Sequence, residues 1–397
     1  MNWKIITLGE IIDLQNGYAF NSSEYTNNGY FLMRITNVQE GFIQNKNPKY
    51  ITISHDSKLK NFILNEGDIL MSLTGNVGRV GELKDVNLPA VLNQRVARII
   101  IKSNLKVDKK YLFNLLNSDN LRDQIKSKGH GTAQLNVSTK DILSIKIFLP
   151  PLPIQQQIVE KLDVIFAQID KATVMIEANA KNAEALFQSY LRENFKYDYS
   201  WKIVTLGDIC NIIGGGTPSK SNPKFYIGDT LWATVGDMNS DYLIETDFKI
   251  SKEAVKQSTT NIIPMNNVVI ATRVGLGKVC IVKQDTAINQ DLKGIIPKNE
   301  RLLDVNYLFY FFKSISQVII NAGRGATVHG VKLPFIKSLK ISLPPISVQK
   351  KIASKFNSIS TKVNNLNKLF ENKIDEIKLL KQSILQKAFK GELIKEP

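Results

Sequence analysis

The residues best suited to chemistry stand in a few glycine-rich, asparagine–proline and acidic clusters. Gly214-Gly215-Gly216-Thr217-Pro218-Ser219-Lys220-Ser221 imitates a phosphate-cradling loop, in which backbone N–H groups wrap a phosphate and the lysine neutralises it. Such a loop wants glycine before the lysine and a long helix after it. Ser219 and Pro223 stand in those places, so nucleotide binding is not expected. Asn47-Pro48-Lys49-Tyr50 and Asn222-Pro223-Lys224-Phe225 imitate the loop that receives a flipped adenine, with lysine in place of its rigid second proline; an Asn-Pro turn is the simpler reading. Glu82-Leu83-Lys84 after Asp68, and Asp291-Leu292-Lys293 after Asp285, have nuclease-like carboxylate spacing but do not fall at matching places. His55, His130 and His329 are scattered, and Cys210 and Cys280 form no C-x-x-C pair. We therefore expect binding without catalysis, with no catalytic residue, no metal and no cofactor in this chain.

The binding candidates are polar loops carrying glycine. They are Thr74-Gly75-Asn76-Val77-Gly78-Arg79 and Lys128-Gly129-His130-Gly131-Thr132-Ala133-Gln134, with counterparts Thr272-Arg273-Val274-Gly275-Leu276-Gly277-Lys278 and Gly323-Arg324-Gly325-Ala326-Thr327. Arginine and lysine can bond guanine O6/N7 and phosphates, and asparagine and glutamine can bond adenine N6/N7. Glycine lets the backbone approach a duplex closely. The expected DNA-binding residues are Thr74, Asn76, Arg79, Lys128, His130, Gln134, Arg273, Lys278, Arg324 and Thr327. The competing reading is a set of hairpin turns with their cations in solvent.

The elements holding these loops occur twice. Trp3-Lys4-Ile5-Ile6-Thr7-Leu8-Gly9-Glu10-Ile11 returns as Trp201-Lys202-Ile203-Val204-Thr205-Leu206-Gly207-Asp208-Ile209. Tyr111-Leu112-Phe113 returns as Tyr307-Leu308-Phe309, Leu92-Asn93-Gln94 as Ile288-Asn289-Gln290, Leu149-Pro150-Pro151-Leu152 as Leu343-Pro344-Pro345-Ile346, and Gln155 as Gln349. The two halves are collinear copies of one domain. Each begins with short β-like runs and turns and contains one expected helix, at residues 109–126 and 304–320. The framework agrees between the halves while the loops differ, as expected if each half reads a different target.

After each Pro-Pro pair the pattern changes. Apolar residues recur at alternating spacings of four and three: Ile158, Leu162, Ile165, Ile169, Ala172 and Ile176, then Asn179, Ala183, Leu186 and Tyr190. The second copy runs Ile352, Phe356, Ile359, Val363, Leu366 and Phe370, then Lys373, Ile377, Leu380 and Ile384. These are coiled-coil seams, with Asn179 and Lys373 as polar register markers. We expect two globular domains at residues 1–151 and 197–345. Residues 152–196 and 346–397 are expected as long helices that pair antiparallel in an α+β chain with pseudo-twofold symmetry. Each helix would be about 60 Å long, enough to space two half-sites one turn of DNA apart, about 34 Å.

The 397 residues carry 52 Lys and Arg against 36 Asp and Glu, a net charge of +16. That excess points to a polyanionic partner. Residues 346–397 hold eleven lysines against five acidic residues, and residues 154–196 five basic against six acidic, so the globular segments carry most of the excess. No apolar run approaches a membrane span and no signal peptide opens the chain, so a cytoplasmic location and no membrane partner are expected.

On these residues the chain resembles the specificity subunits of type I restriction–modification systems. The likeness rests on the paired Trp-Lys-x-x-x-Leu-Gly-[Glu/Asp]-Ile openings, the Leu-Asn-Gln and Ile-Asn-Gln strands, and the two Leu-Pro-Pro-[Leu/Ile]-x-x-Gln-x-x-Ile segments that open long helices. It covers essentially the whole chain. The family's usual Pro-x-x-Glu-Gln reads Pro153-Ile154-Gln155-Gln156 here and Ile346-Ser347-Val348-Gln349 in the second copy, so its Glu is missing from both. The resemblance implies two target-recognition domains, each reading one half of an asymmetric bipartite site in double-stranded DNA. It implies docking of two modification (methyltransferase) subunits, which hold S-adenosylmethionine and methylate adenine, and of restriction subunits that use ATP and Mg. A relative serving a fused methylase–nuclease system fits the same residues. The alternative is a basic two-domain coiled-coil adaptor for RNA or another polyanion, which predicts basic strands interleaved with aromatics.

Overall fold

The computed structural model describes residues 3–53, 58–102, 106–131, 134–195, 200–324 and 330–394. The chain forms two compact units, one of Met1–Met175 with Asn372–Pro397 and one of Ile176–Glu371. Among the described residues no helix is long and apolar enough to cross a membrane.

The repeated nonapeptide has a local cause. In unit 1 the strand Lys4–Thr7 pairs antiparallel with Lys146–Leu149 and runs into the short helix Leu8–Ile11. The Thr7 backbone N–H donates to the Glu10 carboxylate at 2.7 Å, closing the helix start. Gly9 lies where an added Cβ would stand 3.1 Å from the Leu143 carbonyl oxygen. Unit 2 repeats the device. Lys202–Thr205 pairs with Lys340–Leu343, Thr205 N–H donates to Asp208 at 3.2 Å, and a Cβ at Gly207 would stand 3.2 Å from that of Lys337. The backbone N–H of Thr7 holds Glu10, and the hydroxyl of Thr205 holds Asp208, below the usual carboxylate range.

Each unit then builds two sheets. In unit 1 one sheet runs in the order Ile12–Asn16, Val96–Ile101, Ile69–Ser72, Val80–Glu82, all antiparallel. The other runs Tyr50–Ile51, Tyr30–Met33, Ala90–Leu92, Ile63–Leu64, with its central pair parallel. In unit 2 the first sheet has five strands, Cys210–Gly214, Leu292–Pro297, Val268–Ala271, Val279–Val282 and Tyr242–Leu243. The second has four, Phe248–Ile250, Thr230–Ala233, Thr286–Ile288 and Asn261–Ile263, again with a parallel central pair. The duplication read from the sequence is thus matched strand by strand, except that Tyr242–Leu243 adds a fifth strand in unit 2. Cys210 and Cys280 are buried in unit 2, and burial pushes both thiols up to about 12.

The single helix expected in each half is two. Unit 1 has Lys109–Leu116 and Asp119–Ser127, and unit 2 has Val305–Ser314 and Ser316–Arg324. Polar side chains at the break compete for main-chain carbonyls. The Asn117 amide donates to Phe113 O at 3.0 Å, the Ser118 hydroxyl to Leu115 O at 2.6 Å, and the Ser314 hydroxyl to Phe311 O at 2.7 Å.

The two long helices run Leu152–Asn194 and Ile346–Phe389. Each unit takes the beginning of one and the end of the other, so the compact units do not stop at the residue boundaries 151 and 345. In unit 1, Ile158, Val159 and Leu162 share a core with Leu385 and Ala388. The Lys161 ammonium reaches Leu393 O at 3.1 Å, while that of Lys381 lies 4.6 Å from the Phe166 ring centre and 3.5 Å from Asp170. The pairing is therefore antiparallel. In unit 2, Phe187, Tyr190 and Leu191, near the end of the first helix, pack on Ala353 and Phe356, near the start of the second.

The predicted seam is buried at Ile158, Leu162, Ile169 and Phe356, and partly buried at Ile165, Ile176, Ile352, Ile359, Val363 and Phe370. It departs from the heptad elsewhere. Leu186 is 72% exposed and Phe187 is buried instead, because a straight helix drifts about 20° per heptad against a 3.5-residue repeat and the globular core takes the residue one step on. Leu366 is 38% exposed. Asn179 and Lys373 also face solvent, and Lys373 pairs with Glu376 at 2.7 Å on its own helix.

The repeated glutamines latch each long helix to its unit. Gln155 and Gln349 are almost fully buried. The Gln155 Oε1 accepts from Asp108 N–H at 2.9 Å and its Nε2 donates to Pro150 O at 2.8 Å. The Gln349 Oε1 accepts from Asp304 N–H at 2.9 Å, and its Nε2 donates to Leu302 O and Pro344 O, both at 2.8 Å. Asp108 and Asp304 in turn cap the helices carrying Tyr111 and Tyr307, at 2.8 and 3.0 Å. The latch uses the glutamine alone, so the missing family Glu leaves it intact.

Candidate nucleic-acid interface

In unit 1 residues 74–79 form the tip of the hairpin between Ile69–Ser72 and Val80–Glu82. Gly75 (φ +71°) and Gly78 (φ +78°) take the left-handed conformation the turn requires. Inside the tip the Ser72 hydroxyl donates to Asn76 O at 2.5 Å and accepts from Arg79 N–H at 3.1 Å. The second candidate loop, far along the chain, is stitched to this tip by main-chain bonds. Gly75 N–H donates to Leu135 O at 2.8 Å and Val137 N–H to Leu73 O at 3.0 Å, while His130 and Asn136 exchange N–H···O bonds of 2.7 and 2.9 Å. A third segment joins through Arg79, whose Nη1 donates to Gln39 Oε1 at 3.0 Å.

Unit 2 is built the same way. Residues 272–278 form the tip between Val268–Ala271 and Val279–Val282, with Gly275 (φ +65°) and Gly277 (φ +89°) in its turns. Val331 N–H donates to Thr272 O at 2.7 Å, and the Lys278 ammonium donates to Val235 O at 3.2 Å. Gln39 and Val235 lie on matching segments, since the Tyr30–Met33 and Thr230–Ala233 strands precede them.

Each unit thus gathers two remote segments around one tip. Asn76, Lys128, His130 and Gln134 are exposed in unit 1, as are Arg273 and Lys278 in unit 2, and Arg79 is half-buried against Gln39. Thr74 is only 8% exposed; its backbone bridges Asn136, so it belongs to the frame and not to the outer surface. Thr327 and the Arg324 side chain lie outside the described residues. Gln39, Asn136 and Val235 were not legible as site residues, because they join through main-chain or single side-chain bonds that leave no periodic mark.

The carboxylates and asparagines of the remaining clusters make structural contacts. Glu82 pairs with Lys109 at 2.7 Å and Asp68 with Arg98 at 3.3 Å. Asp285 accepts from Met265 N–H at 2.8 Å and Asp291 from the Asn289 amide at 3.3 Å. Asn222 accepts from Lys224 N–H at 3.2 Å and Asn47 sits at φ +50°, as turn residues do.

Comparison with known proteins agrees with this duplicated arrangement. The family described as the type I restriction modification DNA specificity domain matches residues 1–183 and again 199–379. The type I restriction enzyme MjaVIII specificity subunit of Methanocaldococcus jannaschii is 36% identical over 168 residues, 41% of this chain and 39% of that one. The EcoR124I/EcoR124II specificity subunit of Escherichia coli is 30% identical over 222 residues, 54% of each. These two alignments span about two fifths and about half of the relatives' lengths. The EcoBI specificity subunit of Escherichia coli is 23% identical over 99% of this chain and 86% of its own. Among solved structures, a chain from work on complex assembly and conformational transition of the type I R-M system superposes with a TM-score of 0.72 at 22% identity, over 98% of both chains. The HsdS subunit from Thermoanaerobacter tengcongensis gives 0.52 at 22% identity, over 98% and 97%. The two superpositions speak to the fold.

Proposed function

This chain belongs to the type I restriction–modification DNA specificity family, and from that premise we propose that it reads an asymmetric bipartite site in double-stranded DNA, one half-site per unit. The observation that carries the reading is the pair of hairpin tips, built on one frame in both units and carrying different exposed side chains. The main-chain bonds between the two loops keep the frame while Asn76, Lys128, His130 and Gln134 in one unit, and Arg273 in the other, present different groups to bases and phosphates; Arg79 and Lys278 also tie in the third segment. The long helices set the spacing between half-sites; the first, at 43 residues, is about 65 Å long. They also dock the modification subunits, with restriction subunits joining that core. Catalysis belongs to those partners, which hold S-adenosylmethionine, ATP and Mg. The assembly works in the cytoplasm.

The test is methylation mapping in cells with and without this chain, alongside its modification subunit. Adenine methylation at one bipartite motif, present only with the chain, is the expected result. A folded chain that directs no motif and binds RNA more tightly than duplex DNA would favour the polyanion adaptor.

Arg79 offers a sharper check. Arg79→Ala is expected to weaken specific binding by about 1–3 kcal/mol and relax preference at one base position. Competition binding at physiological salt reads both quantities. Unchanged affinity with unchanged preference would remove Arg79 from the interface.

A further inference from the structure

The glycine run Gly214-Gly215-Gly216, which imitates a nucleotide loop in sequence, has a different use in the folded chain. It ends the strand Cys210–Gly214, which pairs with Leu292–Pro297 so that Gly214 faces Lys293. A Cβ at Gly214 would stand 3.0 Å from the Lys293 Nζ, so the glycine makes room for that ammonium. A Cβ at Gly215 would stand 2.2 Å from two main-chain oxygens, those of Ile288 and Asn289, which fixes the strand's approach.

Lys293 opens into a groove of about 360 Å³ lined by Arg273, Gln290, Gly330 and Lys332 among others. Three cations meet there. Lys293 is half-buried and makes no ion pair or hydrogen bond among the described residues. Asp291 favours the Lys293 charge electrostatically without forming an ion pair, and accepts from the Asn289 amide at 3.3 Å. The walls are rigid: Thr272 N–H and its hydroxyl both reach Asp291 O, at 2.8 and 3.0 Å, and Val331 N–H reaches Thr272 O. Gly330, at φ +137°, leaves space beside the Arg273 side chain, with a Cβ there 3.1 Å from its Cγ.

We propose that Lys293, Arg273 and Lys332 form a seat for a phosphate of the DNA backbone, present in unit 2 and absent from unit 1. The proposal rests on the DNA-reading function above and deepens it. In unit 1 the matching pair is Asn16 and Ala97, so the first copy carries neither the glycine gap nor the lysine. Cations unpaired among the described residues, in a preformed groove beside the hairpin tip, fit a tetrahedral oxyanion. Burial and the neighbouring Arg273 charge both hold the Lys293 ammonium below its ordinary pKa, a cost that a bound phosphate relieves. A phosphate contact fixes register and carries no sequence information itself.

The test uses the full chain with Lys293→Ala, the residue the first copy already tolerates, and Lys293→Met, which keeps the length of the stem. Fluorescence anisotropy on the mapped site and on an unrelated duplex is followed from low to high salt. Both variants are expected to bind both duplexes about tenfold more weakly, with the slope of log affinity against log salt smaller by about 1 and the methylated motif unchanged. Unchanged affinity and slope in both variants, with the wild type still reading its motif, would overturn the seat alone. A change of base preference at one position would make Lys293 a base reader instead. Inorganic phosphate alone serves as the second probe: if millimolar phosphate raises the melting temperature of the wild type but not of the variants while DNA binding stays equal, the seat serves a free anion and not DNA. A wild type that reads no motif overturns the seat together with the function it rests on.

Discussion

Replacing Phe356 by alanine is expected to cost unit 2 about 3–5 kcal/mol of unfolding free energy. Phe356 is 1% exposed, so its loss leaves a cavity among neighbours that cannot all collapse into it. Those neighbours are themselves aromatic. Its ring lies 5.6 Å from Phe195 in a stacked arrangement, 5.7 Å from Tyr190 edge-on and 5.3 Å from Tyr310. Such pairs add about 0.5–1.5 kcal/mol each beyond area burial. Because this ring joins the ends of both long helices to the aromatic helix Val305–Ser314, the loss should also loosen the helix pairing inside unit 2. Urea unfolding followed by fluorescence and by circular dichroism reads the effect. A loss below about 1 kcal/mol would mean that Phe356 is not the keystone its surroundings suggest.

The second large effect is expected at the buried glutamine latch. Gln349→Glu keeps an acceptor for Asp304 N–H but removes both amide donors. It sets a carboxylate oxygen against the carbonyls of Leu302 and Pro344 in a site with no exposed surface. An uncompensated buried charge of this kind costs about 3–5 kcal/mol. The carboxyl escapes part of that cost by holding its proton, so its folded pKa is raised above the unfolded one. A group with a raised folded pKa favours the folded state at low pH and loses that advantage as pH rises through the folded value. The deficit against wild type should therefore shrink on acidification. Gln349→Ala should show a deficit that does not vary with pH through this group. Thermal melts of the three proteins across the acid range separate the cases, and a pH-independent deficit in Gln349→Glu would contradict the buried-acceptor geometry.

The duplication, the two long helices and the glycine turns of the candidate loops were legible because each leaves a pattern in side-chain type. Trp-Lys-x-x-Thr-Leu-Gly-[Glu/Asp] repeats since the Thr–acid cap and the close approach at Gly9 and Gly207 each demand a particular residue. The helix seam was legible at Ile158, Leu162 and Phe356 but misplaced at Leu186, where a strict heptad runs on while the globular core selects Phe187. The glutamines were visible as a repeat, though not their three-way clasp, since a buried amide and a surface amide look alike in sequence. Lys293 was first met in a nuclease-like triplet with Asp291. Its actual surroundings, Gly214 across the strand and Arg273 across the groove, come from segments no local pattern connects.

The bonds that stitch the second loop to the hairpin tip, Gly75 to Leu135, Val137 to Leu73 and Val331 to Thr272, are all main-chain. A scaffold fastened in this way is indifferent to the side chains it displays. Substitutions at Asn76 or Gln134 change what is presented without loosening what presents it. On the proposed function, a lineage carrying such a chain can acquire a new target by a few surface replacements in one unit, keeping the other half of its address. The same indifference makes each tip a place where residues can be exchanged between relatives with little penalty in folding.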